Sequence, residues 1–257
     1  MTAVIEAPAL HRFRPITLAE LVVQAALMTR LDRKYLVPAA ELPGVLDRMP
    51  AGVRMLEIEG RREFAYRSVY FDTAGLDSYL AAARRRRRRF KIRVRTYLDT
   101  GDDFLEVKTR AARGMTVKDR IPYAGSRTHL DRDGLTHVAE VLGGAGLPAR
   151  GHEFSPVLAT HYHRSTLYVP GTGSRVTVDS DLTWMLPGGS TVRMPDSVIV
   201  ETKSARSASD VDRLLWSLHL RPSSISKYAT GLAALRPELP ANRWHPVLQR
   251  HFSGGPS

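Results

Sequence analysis

The sequence predicts an α+β fold in which an antiparallel β-sheet of about eight strands is curled into a barrel or tunnel and flanked by helices. Short aliphatic runs alternate with charged residues at the two-residue period of a strand, most clearly at Lys91–Arg95. Turn-forming residues at 99–102, 170–171 and 187–189 separate neighbouring runs by only a few positions. This order fits a closed or nearly closed barrel better than a parallel sheet.

The first half of the chain alternates predicted helices and strands. Thr17 and Glu20 form a capping box before an apolar helical stripe, and Pro38 precedes a second helix with one apolar face. Asp72 caps a third, brief helix. The predicted helices lie at about 17–25, 38–49 and 72–80, and the predicted strands at about 32–37, 64–71, 90–98, 103–109 and 115–123.

The second half contains a longer predicted helix, four strands and two further helices. The longer helix, at 131–142, is stopped by two glycines, and Ser209 or Ser207 caps a helix that continues to Leu218. A last helix begins near Ser226. The strands lie at about 156–169, 174–181, 191–194 and 197–203. We expect one domain at 16–236, a flexible leader at 1–15 and a C-terminal tail at 237–257.

The composition indicates a soluble protein that binds acidic partners. The 257 residues are 43% hydrophobic and carry 38 Lys and Arg against 26 Asp and Glu, a net charge of +12. The absence of cysteine excludes disulfides, thiolate metal sites and a cysteine nucleophile. The apolar run at 21–28 is shorter than the roughly 20 residues that span a bilayer. We expect a cytoplasmic location, and the sequence does not show whether a membrane partner exists.

The charged positions predict where such a partner binds. If the aliphatic side of each strand packs against helices, the cations of Lys91–Arg95 point into the sheet's interior. The same alternation occurs at 106–108, 175–179 and 198–203. Cations enclosed in this way repel one another unless carboxylates and a polyanion lie between them. The pattern therefore predicts a binding tunnel for phosphate chains.

Six blocks in a fixed order resemble the VTC domain, the polyphosphate polymerase module of the CYTH-like triphosphate tunnel superfamily. The resemblance runs from about Leu31 to Gly231. It implies an antiparallel β-tunnel that binds a nucleoside triphosphate and transfers its terminal phosphoryl group to inorganic polyphosphate with Mn²⁺ or Mg²⁺. The blocks are Asp32–Val37, Tyr70–Thr73, Arg89–Tyr97, Phe104–Lys108, Val200–Lys203 and Ser226–Tyr228.

The resemblance also implies roles for individual residues. Phosphoryl transfer depends mainly on positioning and on cations placed where charge develops, which Arg and Lys supply. A carboxylate among them can recruit a divalent ion, and Glu201 is the implied metal ligand. The implied catalytic residues are Arg93, Arg95, Lys108 and Glu201. The implied phosphate-binding residues are Lys34, Arg89, Lys91, Lys118, Arg164, Arg175, Lys203, Ser226 and Lys227.

The chain departs from the family pattern at three places. Ala82 and Ser224 stand where related proteins often carry a basic residue. The Glu-x-Glu-x-Lys hallmark of the superfamily's hydrolases is absent from the first strand, where only Asp32, Arg33 and Lys34 appear. This absence argues against a plain triphosphatase or adenylyl cyclase.

Other interpretations of the same residues stay open. The tunnel could bind polyphosphate, inositol phosphates or nucleotides without turnover. Arginines 84–89 resemble an RNA-binding block, although nucleic acid is the less favoured partner. Glu106 with Lys108, and Glu201 with Lys203, could be solvated cross-strand ion pairs of little energetic value. His161 and His163 could belong to a metal site, but no third histidine accompanies them.

Overall fold

The computed structural model describes residues 12–24, 31–110, 116–148, 153–205 and 207–252. Within these ranges it contains eleven strands, seven α-helices and two 3-10 helices, Ala39–Glu41 and Pro170–Thr172. The strands are β1 Arg14–Ile16, β2 Leu31–Pro38, β3 Arg54–Leu56, β4 Phe64–Asp72, β5 Arg89–Tyr97, β6 Asp103–Arg110, β7 Thr116–Pro122, β8 Ser155–Val169, β9 Ser174–Met185, β10 Thr191–Met194 and β11 Ser197–Ser204. The helices are α1 Leu18–Gln24, α2 Leu42–Asp47, α3 Asp77–Ala83, α4 Arg132–Gly144, α5 Asp210–Ser217, α6 Lys227–Leu235 and α7 His245–His251.

The α+β class and the large antiparallel sheet with flanking helices are confirmed. The order of hydrogen-bonded strands is β2-β11-β9-β8-β4-β5-β6-β7, with β1, β3 and β10 attached beside this path. Among the described residues β2 and β7 do not pair with each other, so of the closed or nearly closed barrel that the sequence predicted, the closed form is not observed. The short β1 and β3, which the sequence did not predict, pair in parallel.

The chain divides into two compact units, each assembled from three separate segments. The first unit comprises residues 1–65, 162–182 and 193–224, and the second comprises residues 66–161, 183–192 and 225–257. The long strands β8 and β9 run through both units, so no single point in the sequence separates them.

The core of the first unit lies on one side of β2, β9 and β11. Tyr35 and Val37 of β2 are fully buried and belong to the same cluster as Val198 and Val200 of β11. Apolar residues of α2 and α5 complete that cluster. Because side chains alternate along a strand, the intervening residues, including Lys34 and Glu201, lie on the opposite side of the sheet.

The core of the second unit follows the same rule. Ile92 and Val94 of β5 pack in one cluster with Val107 of β6 and with Val138 and Leu142 of α4. Asp131 caps α4 by accepting a hydrogen bond from the backbone N–H of Gly134 at 2.8 Å, which fixes the start of this helix. The helix therefore covers the aliphatic side of β5 and β6 and leaves the charged side uncovered by it.

The C-terminal residues 237–252 are packed onto the second unit. Trp244 is 2% exposed, and its ring centroid lies 5.6 Å from that of Tyr79 on α3. The Tyr79 hydroxyl also donates to the carbonyl oxygen of Pro240 at 3.2 Å. The helix α7 follows, which the sequence did not predict. These contacts fix the C-terminal segment beside α3.

No helix in the described ranges is both long and apolar enough to cross a lipid bilayer.

Candidate functional site

In the second unit, β5, β6 and β7 place their Arg and Lys residues and Glu106 on one surface, which we call the β5–β7 face. Register aligns Lys91 with Lys108 and Lys108 with Lys118, so three lysines form one row across the strands. The next row begins with Arg93 opposite Glu106. Like charges opposite one another are destabilising, so this face requires compensating negative charge.

Glu106 provides negative charge at the centre of the β5–β7 face. Its carboxylate accepts a hydrogen bond from Arg93 Nε at 2.7 Å and forms an ion pair with Lys118 Nζ at 2.8 Å, and Arg95 NH1 lies 3.8 Å away. Glu106 is 3% exposed. Burial opposes its ionisation, but the charges of Arg93, Arg95 and Lys118 outweigh burial and hold the Glu106 pKa well below its usual range. Glu106 is therefore an anion that several cations share. This excludes the interpretation in which Glu106 forms only a solvated ion pair with Lys108.

Lys118 keeps 38% of its side chain exposed, but its electrostatic surroundings differ from those of a fully solvated lysine. Burial lowers its pKa to about 8, and the neighbouring charges of Arg93 and Arg95 act in the same direction against the attraction of Glu106. The other cation of β7, Arg120, instead lies over the Phe104 ring, 3.6 Å from its centroid. The structure thus gives Lys118 and Arg120 different partners, which two-residue spacing alone did not separate.

Ser226 connects the β5–β7 face to helix α6. Its hydroxyl accepts a hydrogen bond from Lys91 Nζ at 3.1 Å and from the backbone N–H of Ala229 at 3.3 Å, so Ser226 caps the helix. Lys91 Nζ also lies 6.0 Å from the Tyr70 ring centroid and 5.8 Å from that of Tyr228. This arrangement holds the ammonium group beside the start of a helix, where anions bind favourably.

Asp72 is a positioning residue that the sequence did not single out. Its buried carboxylate accepts from the backbone N–H groups of Thr73, Ser78 and Tyr79 and from the Tyr228 hydroxyl. Burial raises the Asp72 pKa, while these four hydrogen bonds oppose that rise. Asp72 thereby ties the end of β4 to α3 and to the first turn of α6. Both partners lie in blocks of the family pattern, but their contact could not be read from the chain.

In the first unit, β2, β9 and β11 form a second charged surface, the β11 face. Glu201 stands opposite Lys34 on one side and Thr177 on the other, and Lys203 stands opposite Asp32 and Arg175. Lys203 Nζ lies 3.4 Å from Glu201 Oε2, and the two side chains are 12% and 14% exposed. This exposure is too low for the solvated ion pair that the sequence left open.

Two cations of the β11 face have unusual electrostatic surroundings. Burial lowers the Lys203 pKa to about 8, with the charges of Arg164 and Arg175 adding to that effect and Glu201 opposing it. Arg164 forms a two-point ion pair with the fully buried Asp179, at 2.5 Å from Nε and 2.8 Å from NH2. Asp179 raises the Arg164 pKa despite burial. The sequence did not identify Asp179 as the partner of Arg164.

Comparison with known proteins decides the family. The family model described as the VTC domain matches residues 29–236. The chain belongs to the VTC domain family.

Solved structures similar to this VTC domain share little sequence with it. A putative adenylate cyclase from Vibrio parahaemolyticus is 14% identical, with 80% of this chain and 98% of that chain covered and a TM-score of 0.43. A putative adenylyl cyclase from Hippeastrum, described as having a dominant triphosphatase activity, is 16% identical, with 79% and 95% covered and a TM-score of 0.46. A protein from Pyrococcus horikoshii is 14% identical, with 74% and 86% covered and a TM-score of 0.38. The comparison with curated proteins found no match.

The remaining implied catalytic and phosphate-binding residues of the VTC domain include positions that are half-buried or exposed. Arg89 and Lys227 are half-buried, and Lys108 is exposed. The Lys227 carbonyl accepts from Trp184 Nε1 at 2.6 Å, which fixes the backbone of the first turn of α6. At the two departures from the pattern, Ser224 is exposed and Ala82 is half-buried.

The positions of the lysines indicate the site of the VTC domain independently of the strand pattern. The chain contains 38 basic residues but only six lysines, and all six belong to the implied catalytic or phosphate-binding set. Lysine is a compact point charge whose pKa responds to burial, whereas arginine is a planar fork that stays charged. The six lysines are Lys34, Lys91, Lys108, Lys118, Lys203 and Lys227.

The donor set of the VTC domain limits the kind of metal it can hold. Among the described residues, no three His, Cys, Asp or Glu side chains are grouped as a metal site, which also removes the His161 and His163 interpretation there. On the β11 face the buried Asp179 is held by the two-point ion pair with Arg164, whereas Glu201 makes a longer, 3.4 Å contact with Lys203. This fits Mg²⁺ or Mn²⁺, which are held by one or two carboxylates together with phosphate oxygens and waters.

Proposed function

We propose that this VTC domain is a phosphotransferase that moves the terminal phosphoryl group of a nucleoside triphosphate onto inorganic polyphosphate. The observation that carries the proposal is the construction of the two charged faces. Each is lined by Arg and Lys around carboxylates of low exposure, Glu106 in the β5–β7 face and Glu201 and Asp179 in the β11 face. Positioned cations are what phosphoryl transfer requires from a protein.

Glu106 and Glu201 have different roles in this proposal. Glu106 lies 2.8 Å from Lys118 and is shared with Arg93 and Arg95, so its charge serves to hold those cations in place. Glu201 makes a longer contact, 3.4 Å, with Lys203. We therefore assign metal binding to Glu201 and a positioning role to Glu106.

The side chains of the β5–β7 face bind and orient phosphate groups. Arg93 and Arg95 offer planar forks that can hold two oxygens of one phosphate, and Lys91 and Lys118 offer point charges. The Ser226 hydroxyl lies next to Lys91 and can donate to a phosphate oxygen. The low pKa of Lys118 means that an approaching anion also favours protonation of this lysine.

A divalent ion would add further positive charge at the β11 face. When bound by Glu201 and phosphate oxygens, Mn²⁺ or Mg²⁺ would neutralise charge on the transferred group and orient it. The protein itself supplies no covalent step in this scheme, because the attacking group is a terminal phosphate oxygen of the polyphosphate chain. We also place this reaction in the cytoplasm.

Product analysis tests the proposal. Purified protein incubated with ATP and Mn²⁺ should form long, acid-labile polyphosphate, resolved by gel electrophoresis from orthophosphate. Glu201→Gln should abolish the product, while Glu140→Gln, the same change at an exposed position on α4, should leave it intact. Polyphosphate formation unchanged in Glu201→Gln would reject the assignment. Release of orthophosphate without polymer would show a hydrolase instead.

The second candidate is a binding module without turnover, which the missing basic residues at Ala82 and Ser224 favour. Such a module would bind polyphosphate tightly and with strong salt dependence, but would transfer no phosphoryl group over hours with any of several metals. Measuring binding and transfer on the same preparation distinguishes the two candidates.

A further inference from the structure

A cluster of arginines lies at one end of the β5–β7 face. Arg89 at the start of β5 stands directly opposite Arg110 at the end of β6, and the next aligned pair on this surface is Lys91 and Lys108. Two successive pairs of like charge destabilise the strand pairing unless an anion bridges them. The strand ends are therefore arranged as an anion site.

Arg243 brings a further cation to this end of the face. Its guanidinium donates to the carbonyl oxygen of Ala82 at 3.4 Å. Burial lowers the Arg243 pKa, and the charges of Arg85 and Arg110 lower it further. Burial likewise lowers the Arg89 pKa, with contributions from Arg110 and Arg243. The backbone N–H of Arg85 donates to the same Ala82 carbonyl at 3.3 Å, and Arg89 is aligned with Arg110. We call Arg85, Arg89, Arg110 and Arg243 the arginine cluster.

The position of Arg243 is fixed by the packing of the C-terminal segment. The next residue, Trp244, is buried against Tyr79 of α3, the helix that also contains Ala82. Arg243 lies beyond residue 236, where the match to the family model ends. A basic group outside the matched region therefore lies beside the position at which the family pattern often has one.

We propose that Arg243 replaces the cation missing at Ala82, and that the arginine cluster is a second anion-binding subsite for inorganic polyphosphate. The proposal rests on the proposed function and extends it to the length of chain held. Single-stranded RNA is the weaker match, because its binding sites combine cations with exposed aromatic platforms. None of the exposed large hydrophobic residues in the described ranges is aromatic.

Binding measurements without nucleotide test this subsite separately from catalysis. Titration calorimetry would compare long-chain polyphosphate with tripolyphosphate for wild type, Arg243→Ala and Arg250→Ala. We expect Arg243→Ala to weaken long-chain binding about tenfold, as for loss of one charge-assisted hydrogen bond. The affinity for tripolyphosphate should change by less than about twofold, because we expect a ligand this short to be held by the row of Lys91, Lys108 and Lys118. Arg250→Ala removes the same charge from an exposed position on helix α7 and should change neither the long-chain affinity nor the tripolyphosphate affinity.

A charge-restoring variant makes the test specific. Ala82→Lys combined with Arg243→Ala should recover long-chain affinity, and Arg243→Lys should retain most of it. Unchanged long-chain affinity in Arg243→Ala, with thermal unfolding like that of wild type, would overturn the proposal. If Ala82→Lys does not restore long-chain affinity in the double variant, Arg243 does not replace a cation at position 82.

If Arg243→Ala weakens the affinity for an RNA oligonucleotide tenfold but leaves the affinity for polyphosphate unchanged, the cluster is assigned to RNA. Absence of phosphoryl transfer by the wild type, with the polyphosphate affinities as expected, would count against the proposed function and not against this subsite.

Discussion

Replacing Glu106 with Gln removes the carboxylate shared by Arg93, Arg95 and Lys118 and keeps its shape. Removing one partner of a buried ion pair typically costs about 3–5 kcal/mol, because the remaining charge is left uncompensated. Arg93 and Lys118 retain 19% and 38% exposure of their side chains, so water screens part of that cost. We therefore expect Glu106→Gln to lower the free energy of unfolding by about 3 kcal/mol.

Guanidinium unfolding followed by tryptophan fluorescence measures this change, because Trp184 and Trp244 are buried in the same unit as Glu106. Glu140→Gln is the matched control, and as an exposed substitution it should lie within about 0.5 kcal/mol of wild type. Tripolyphosphate should raise the melting temperature of Glu106→Gln more than that of wild type, because an added anion replaces the missing charge. Equal stability of Glu106→Gln and wild type would refute the shared-anion role of Glu106.

Three further predictions follow from the buried groups. Between about pH 8 and 10.5 the unfolded chain keeps a proton on Lys203 that the folded protein has lost, so the free energy of unfolding should rise with pH in this range. Chemical unfolding at each pH should show a rise of up to about 3 kcal/mol more in wild type than in Lys203→Met. Tyr228→Phe removes a hydroxyl bond to Asp72 and should cost about 1–3 kcal/mol in chemical unfolding; no change would exclude the tie between β4 and α6. Gly231→Ala places a Cβ atom 2.0 Å from an indole carbon of Trp184 and should lower the free energy of unfolding by at least about 1–3 kcal/mol. The control Gly44→Ala, whose Cβ atom meets no atom within 4 Å, should not lower the melting temperature.

The two-residue period was sufficient to predict which strand residues share a surface. Along β5 the alternation of Lys91, Arg93 and Arg95 with aliphatics matches the observed separation between charged face and core. The strands at 90–98 and 197–203 also agree with β5 and β11 to within one residue at each end. These features depend on neighbours in the chain, and local sequence carries that information.

Contacts between distant segments could not be predicted in this way. The pairing of Asp72 with Tyr228 joins residues far apart in the chain, and neither residue signals its partner. The same holds for Arg243 beside Ala82. The sequence also left open whether the barrel is closed or nearly closed, because whether β2 and β7 pair depends on twist accumulated over every strand of the sheet. Helix α7 is short and has a Pro at its start, so its formation depends on packing of the preceding Trp244.

Amine-directed labelling tests most directly whether the lysines of the two faces bind phosphate chains. All six lysines of the chain belong to the implied site, so mass spectrometry of labelled peptides reports on that site with the N-terminal amine as an internal control. We expect saturating tripolyphosphate to slow labelling of Lys91, Lys118 and Lys203 severalfold and to leave labelling of the N-terminal amine unchanged. Unaltered labelling of these three lysines under conditions where calorimetry shows the ligand bound would contradict this expectation.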